Sequence, residues 1–180
     1  MKTVRLIIFL VVALAQVSVP ASMIWKRQRI LRAGRVWKFR TAPIDPVDAL
    51  RGRYLSLRFA AERSSRAEPL SFGEGLAFVS LKNDADGFAV ADEVGYEAKT
   101  GDNIICAEYY GFYEGKVNLR FPFDRFWVSE GDAIAAENAY QAHKDDGYVT
   151  VRVGDGDAAI EELYLAGKPL REYLRANSIP

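Results

Sequence analysis

The hydrophobic pattern changes period once along this chain, and the change divides it into two parts. From Leu6 to Trp25 no charged residue occurs, after a start carrying Lys2 and Arg5. About 20 mostly apolar residues match the thickness of a bilayer core. Helical spacing continues through Ile24, Arg27/Gln28 and Leu31, and Gly34 predicts the end of the helix. Beyond it the period falls to two. "VWKFRT" predicts a strand with Val36 and Lys38 on one face and Trp37 and Phe39 on the other. "GLAFVSLKND" and "GFAVADEV" read as a hairpin about the turn residues Asn83–Gly87.

"NIICAEYYGFY" is another apolar run, Gly115 separates it from "KVNLRFPF", and "RFWV" is a short aromatic strand. In "SEGDAIAAENAYQAH", Ser129 with Asp132 three residues on predicts a helix start, though with Asp in place of the usual Glu. "YVTVRVG" alternates strictly, and "AAIEELYLAG" is its partner across the Gly154–Asp157 turn. "KPLREYLRANSIP" allows a last short helix. Many short strands with glycine-rich turns predict an α+β, β-dominated fold. The expectation is an N-terminal transmembrane helix, then a strongly bent antiparallel sheet or half-open barrel with one or two short helices. Residues 1–33 would be the anchor helix with its basic flank, and 34–180 the β-rich soluble domain.

Two readings fit the apolar segment, a cleaved signal peptide and a retained anchor. Ala21 allows cleavage, but Pro20 handicaps it, and the apolar run continues through Met23, Ile24 and Trp25. Trp25 followed by "KRQR" is the pattern of an interfacial aromatic with snorkelling bases, which favours the anchor. Sidedness draws two opposed arguments. The bases Lys26, Arg27, Arg29, Arg32 and Arg35 outnumber those ahead of the helix, which would hold the large domain in the cytoplasm. A short basic start leading into an apolar run has the form of an export signal, and on that ground the domain is expected on the extracytoplasmic, periplasmic side.

Composition removes several classes of function. Lys+Arg and Asp+Glu are both 24, so the formal charge is zero and the electrostatic case for nucleic acid fails. A single cysteine, Cys106, excludes an internal disulfide framework and a Cys-rich metal site, and its apolar neighbours predict a small core residue. "GDGDAA" lacks the ligand series of a calcium loop, and neither "GEG" nor "VGDG" has the helix and Lys of a phosphate-cradling motif. No metal and no cofactor is expected. The pairs Asp84/Asp86 and Asp155/Asp157 fit turns better than acid–base work. His143, the only histidine, has the setting of an exposed helix end. No catalytic residue stands out; a Ser/Lys dyad from Ser56 or Ser129 with Lys38, Lys82 or Lys116 has no spacing that selects a pair.

The densest stretch is "PIDPVDALRGRYLSLRF", Pro43–Phe59. Asp45 can cap a short helical turn, Pro46 suits its first position, and Asp48 lies near the positive end of its dipole. Gly52 lets the chain reverse. "YLSLRF" then leaves as a strand with Leu55, Leu57 and Phe59 on one face and Tyr54, Ser56 and Arg58 on the other.

These residues carry a resemblance. "GRYLSLRF" resembles the motif of the uncharacterised bacterial GDYXXLXY proteins, Gly-Asp-Tyr-x-x-Leu-x-Tyr. Gly52, Tyr54 and Leu57 fit, and Phe59 stands for the final Tyr. The lead-in Pro43, Ile44, Asp45, Pro46 and Asp48 is similar to a Pro-Val-Asp-Pro-x-Asp element. Phe126, Trp127, Val128, Ser129, Glu130 and Gly131 are similar to Tyr-Phe-Val-Pro-Glu-Gly. The resemblance implies a membrane-associated domain without an assigned reaction. Arg53 replaces the motif's Asp, so no metal-ligand or general-base role passes to this chain through that residue.

The polar face of the motif strand supplies the candidate binding site. Tyr54 and Arg58, with Arg53, would join Arg120, Arg125 and Glu130 around a polar cleft. Arginine forks suit carboxylates or phosphates, whether acidic side chains of a protein or lipid head groups. The plainer reading is a solvated strand face with ion pairs worth ~0–1 kcal/mol each. Together these readings predict a membrane-anchored accessory or interaction component of a bacterial envelope complex, with a protein partner in the membrane. Its contact surface would be the Tyr54 face or the aromatics of Tyr109–Tyr113 and Phe121–Trp127, although most of those are expected in the core. The alternatives are an envelope hydrolase or peptidase and a module that binds a small anion or lipid head group.

Overall fold

The structure, a computed structural model, describes residues 2–42, 54–65, 68, 70 and 73–177. The expectations placed on Asp45, Pro46, Asp48, Gly52 and Arg53 lie outside the described residues.

Helix α1 spans Lys2–Ala33. Its best window has a mean hydropathy of 2.3, and none of that window is buried against the rest of the chain. By length and composition α1 is able to cross a bilayer. The hydroxyls of Ser18 and Ser22 donate to the carbonyls of Ala15 and Val19, so these side chains are satisfied within the helix. α1 ends where the sequence predicts, with the Gly34 N–H donating to Ile30 O at 2.8 Å. Here glycine answers a close approach. A Cβ on Gly34 would lie 2.6 Å from Ile30 O and 3.1 Å from Val153 O. The helix therefore feeds directly into the first strand, and Lys26 Nζ meets Asp157 Oδ2 at 2.6 Å beside the junction.

Strand β1 (Arg35–Ala42) pairs antiparallel with β10 (Tyr148–Gly154), from Arg35 opposite Val153 to Arg40 opposite Tyr148. With β3 (Arg58–Phe59), β11 (Asp157–Leu165) and β12 (Lys168–Pro169) they form a five-stranded sheet in the order β12-β11-β10-β1-β3. A second sheet runs β4-β8-β7-β5-β6, from β4 (Arg63–Ser64), β5 (Gly75–Asn83), β6 (Ala89–Gly95), β7 (Ile104–Tyr113) and β8 (Lys116–Arg120). A separate ribbon joins β2 (Tyr54–Ser56) to β9 (Arg125–Trp127). The fold is thus β-dominated and antiparallel as predicted, and the sheets do not close into a barrel. A parallel bridge between Ile105 and Gly156 fastens the two large sheets at one corner.

Local sequence accounts for most of this. The β7–β8, β10–β11 and β11–β12 hairpins each turn on a residue pair with positive φ, Glu114–Gly115, Asp155–Gly156 and Ala166–Gly167. That backbone matches the right-handed twist of the flanking strands. Asp84 Oδ1 accepts the N–H groups of Asp86 and Phe88 at 2.9 and 2.8 Å, closing the β5–β6 hairpin. Apolar alternation does the rest. Trp37, Phe39, Val79, Ile105, Val117, Val149, Val151 and Leu163 all point into one continuous core. Phe39, Phe59, Phe121 and Phe123 form its aromatic centre, with ring centroids 5.2–6.3 Å apart.

Several expectations need correction. "YVTVRVG" does not alternate cleanly, because Thr150 is only 7% exposed. β10 lies inside its sheet, and Thr150 is paired on both sides, opposite Lys38 and Glu162. Cys106 is half-buried on β7 rather than in the core. Helix α2 (Ala133–Ala142) is preceded by a 3₁₀ turn, Glu130–Asp132. There Ser129 makes no cap bond to the backbone; its hydroxyl donates to the Asp132 carboxylate. His143 ends α2 as predicted, but it is half-buried. Nδ1 meets Asp146 at 2.9 Å and Nε2 meets the Tyr173 hydroxyl at 3.0 Å, tying α2 to α3 (Leu170–Asn177).

Candidate functional site

The site is built on the β2–β9 ribbon and the segment 121–124 that leads into it. Tyr54 pairs with Trp127, Leu55 with Phe126 and Ser56 with Arg125. Alternation sends Leu55, Leu57 and Phe59 into the core and leaves Tyr54, Ser56 and Arg58 on the other face, as the sequence predicts. The Leu57 N–H donates to Asp124 O at 2.8 Å, which holds the motif strand against the loop.

Asp124 organises the cations. Its Oδ2 lies 3.0 Å from Arg120 Nη2 and its Oδ1 3.6 Å from Arg125 Nε. The hydrogen bond to Asp124, then one to Tyr110, holds the Arg120 guanidinium above its ordinary pKa, so it is permanently charged. The Arg125 guanidinium sits over the Tyr54 ring at 5.0 Å, and the Tyr54 and Trp127 rings lie 5.2 Å apart. Trp127 itself is 63% exposed.

Arg58 joins this group through a carboxylate that sequence reasoning missed. Glu62, in the 3₁₀ turn Ala60–Glu62, is 5% exposed. Its Oε1 accepts the Phe121 N–H at 3.0 Å and its Oε2 the Phe59 N–H at 3.2 Å. Arg58 Nη1 stands 3.8 Å from Oε2. Burial pushes the Glu62 carboxyl above its ordinary value, while the two backbone donors and then the charges of Arg58 and Arg120 pull it down. "FAAE" carries a faint local signal, since a Glu three residues after a turn start can reach back to the backbone. The bond to Phe121 is long-range and leaves no local signature.

Of the predicted residues, the fold therefore brings together Tyr54, Arg58, Arg120 and Arg125. Glu130 stands on the 3₁₀ turn ahead of α2 and lines neither of the cavities that flank Asp124. One cavity, of about 300 Å³, is bordered by Arg120, Glu108 and Cys106. The other, of about 370 Å³, is bordered by Arg125, Trp127 and Ile160, and by Arg27 from α1. Arg27 was also missed as a site residue, because only the packing of α1 against β10 and β11 places it there. Guanidinium forks beside aromatic faces are a chemistry suited to anions. Among the described residues no His/Cys/Asp/Glu cluster has the form of a metal site. Of the serine and lysine candidates, the Ser129 hydroxyl bonds Asp132 and Lys38 lies over the Tyr148 ring.

A family model described as GDYXXLXY protein matches residues 16–163, most of the chain. The chain belongs to the GDYXXLXY family. No curated protein and no solved structure matches it. The fold gives the family signature a physical meaning. Tyr54 and Leu55 of the motif-like stretch and Phe126 and Trp127 of the later segment, far apart in sequence, are strand partners in the β2–β9 ribbon. Leu57 and Phe59 fill the core, and Tyr54 supports Trp127 and Arg125.

Proposed function

We propose that this chain is a single-pass membrane-anchored domain that serves as an accessory or interaction component of a bacterial envelope membrane complex. Residues 1–33 are the anchor and its basic flank, and 34–180 are the β-rich domain, placed on the extracytoplasmic side. The observation that carries the reading is α1. Its apolar window is wholly exposed, with no partner among the described residues to cover it. An apolar surface of that size in water is strongly unfavourable, and a bilayer removes it.

The domain follows without a linker, since Gly34 joins α1 to β1 directly. A domain held so close to the bilayer meets partners that are themselves in the membrane. The aromatics divide in a way that fits this role. Tyr109, Phe121 and Phe123 are core, whereas Tyr110, Phe112, Tyr113 and Trp127 are exposed. Exposed aromatics are favoured contact residues in interfaces.

Carbonate washing of membranes from expressing cells tests the anchor: the intact chain is expected in the pellet, and release of a shortened chain would refute it. Protease treatment of spheroplasts is expected to digest the domain, whereas digestion only after lysis would refute the extracytoplasmic placement. A mild-detergent pull-down is then expected to recover an integral membrane protein with the native chain and less of it with Tyr113→Ser/Phe112→Ser. Equal recovery by both would refute the aromatic contact surface.

A further inference from the structure

The cavity lined by Arg125 and Trp127 draws part of its wall from Arg27 of α1. Arg27 lies two residues beyond Trp25, the last residue of the uncharged run. At 1.5 Å per residue it stands about 3 Å past the end of that run. The polar layer of a bilayer is about 5–8 Å deep on each side. Where α1 spans, Arg27 thus falls inside the headgroup layer, and whatever shares its cavity is held at the same depth. Arg125 and Trp127 share it.

Charge and geometry then select the occupant. Arg27 is exposed and makes no ion pair with any described residue. Arg125 is set in place, stacked on Tyr54 at 5.0 Å and 3.6 Å from Asp124. Asp124 is the carboxylate in the wall, and its closer bond, at 3.0 Å, goes to Arg120. Two guanidinium groups thus face one cavity with a carboxylate already neutralised by a third. Trp127, largely exposed, is the residue type that settles at the headgroup level. A volume of about 370 Å³ admits a phosphodiester and part of its polar substituent.

We infer that this cavity binds the phosphate of an anionic phospholipid headgroup, clamped between Arg27 of the helix and Arg125 of the ribbon, with Trp127 against its acyl side. The inference rests on the membrane reading and deepens it. The lipid joins anchor and domain, fixing the domain's face relative to the bilayer. Free phosphate offers the same oxygens to the guanidinium forks but has no acyl chains to hold it at this depth.

The test is native mass spectrometry of the full chain in mild detergent, with phosphatidylglycerol or phosphatidylcholine added. The native chain is expected to retain phosphatidylglycerol in preference to phosphatidylcholine. Losing one charge-assisted contact weakens binding by roughly tenfold, so Arg27→Gln is expected to lose most of the retained lipid. Arg27 is exposed on the helix, so this variant folds whatever Arg125→Gln does. Arg29→Gln, which borders a different cavity, is expected to retain the lipid. Equal retention by Arg27→Gln and the native chain would overturn the assignment. So would an equal loss in Arg29→Gln, equal retention of phosphatidylcholine, or complete displacement by inorganic phosphate. Carbonate washing of the same variants separates this from the reading beneath it. Extraction of the native chain refutes the anchor, whereas chains that all stay in the pellet but show no lipid difference refute the clamp alone.

Discussion

Glu62 gives the sharpest test of how the site is held. Its carboxylate receives two buried backbone donors, the N–H groups of Phe59 and Phe121, both on residues 2% exposed. Glu62→Ala leaves both without an acceptor. Each unsatisfied buried donor costs about 1–3 kcal/mol, and losing the desolvated charge offsets part of the sum, so the net is about 2–4 kcal/mol. For a chain of this size that lowers the melting temperature by roughly 5–15 °C. Thermal unfolding of the detergent-solubilised chain at pH 7, followed by near-UV circular dichroism, reads it directly. Glu62→Gln adds a sign. The folded-state pKa of Glu62 is raised, so the fold holds the proton more tightly than the unfolded chain does. Its contribution to stability is greatest below the ordinary value of 4.5 and declines as pH rises through the raised folded value. Glutamine does not titrate, so the stability of Glu62→Gln relative to the native chain is expected to improve as pH rises through that window. An alanine variant melting within about 2 °C of the native chain would refute the accounting, as would a glutamine difference that is flat with pH.

Two further predictions come from single buried positions. The Tyr140 hydroxyl is buried without a hydrogen-bond partner among the described residues, and the nearby Thr41 hydroxyl donates instead to Gly147 O. Tyr140→Phe is therefore expected to match or exceed native stability, by up to about 2 kcal/mol in chemical denaturation; a loss of that size would show a bond to Thr41. Burial also pushes the Tyr140 pKa from 10.0 to about 12, so the fold disfavours its ionised form. The native chain should lose stability as pH rises across that interval, and Tyr140→Phe should lose less. At the helix–domain junction, Gly34→Ala forces a methyl to 2.6 Å from Ile30 O, a backbone atom with little room to yield. The expected cost is about 1–3 kcal/mol by denaturant titration, and a neutral substitution would show that α1 and β1 move freely.

What the sequence makes legible is local. The helix, its end at Gly34, the turns at Gly115 and Gly154–Asp157 and the inward faces of β1, β5 and β10 follow from period and turn chemistry within a few residues. The two faces of "YLSLRF" are equally readable, because alternation is a property of the extended backbone. The misses are also instructive. Thr150 looks like an outward residue, yet on a strand flanked by β1 and β11 it is buried. Ser129 has the sequence of a cap, yet the competing acceptor is Asp132. Tyr109 and Tyr110 belong to one aromatic stretch, and ordinary alternation along β7 puts one in the core and the other in solvent.

By itself, then, the sequence determined that an apolar helix precedes a β-rich domain, which faces of its strands are apolar, and that Tyr54, Arg58, Arg120 and Arg125 are polar candidates. Only the tertiary structure decided that Glu62 is buried beneath them, that the two family segments are strand partners, and that Arg27 shares a cavity with Arg125. The physical reason is range. Periodicity and turn conformations are encoded by neighbours in the chain, whereas burial, strand pairing and the meeting of charges depend on how distant segments close around one core.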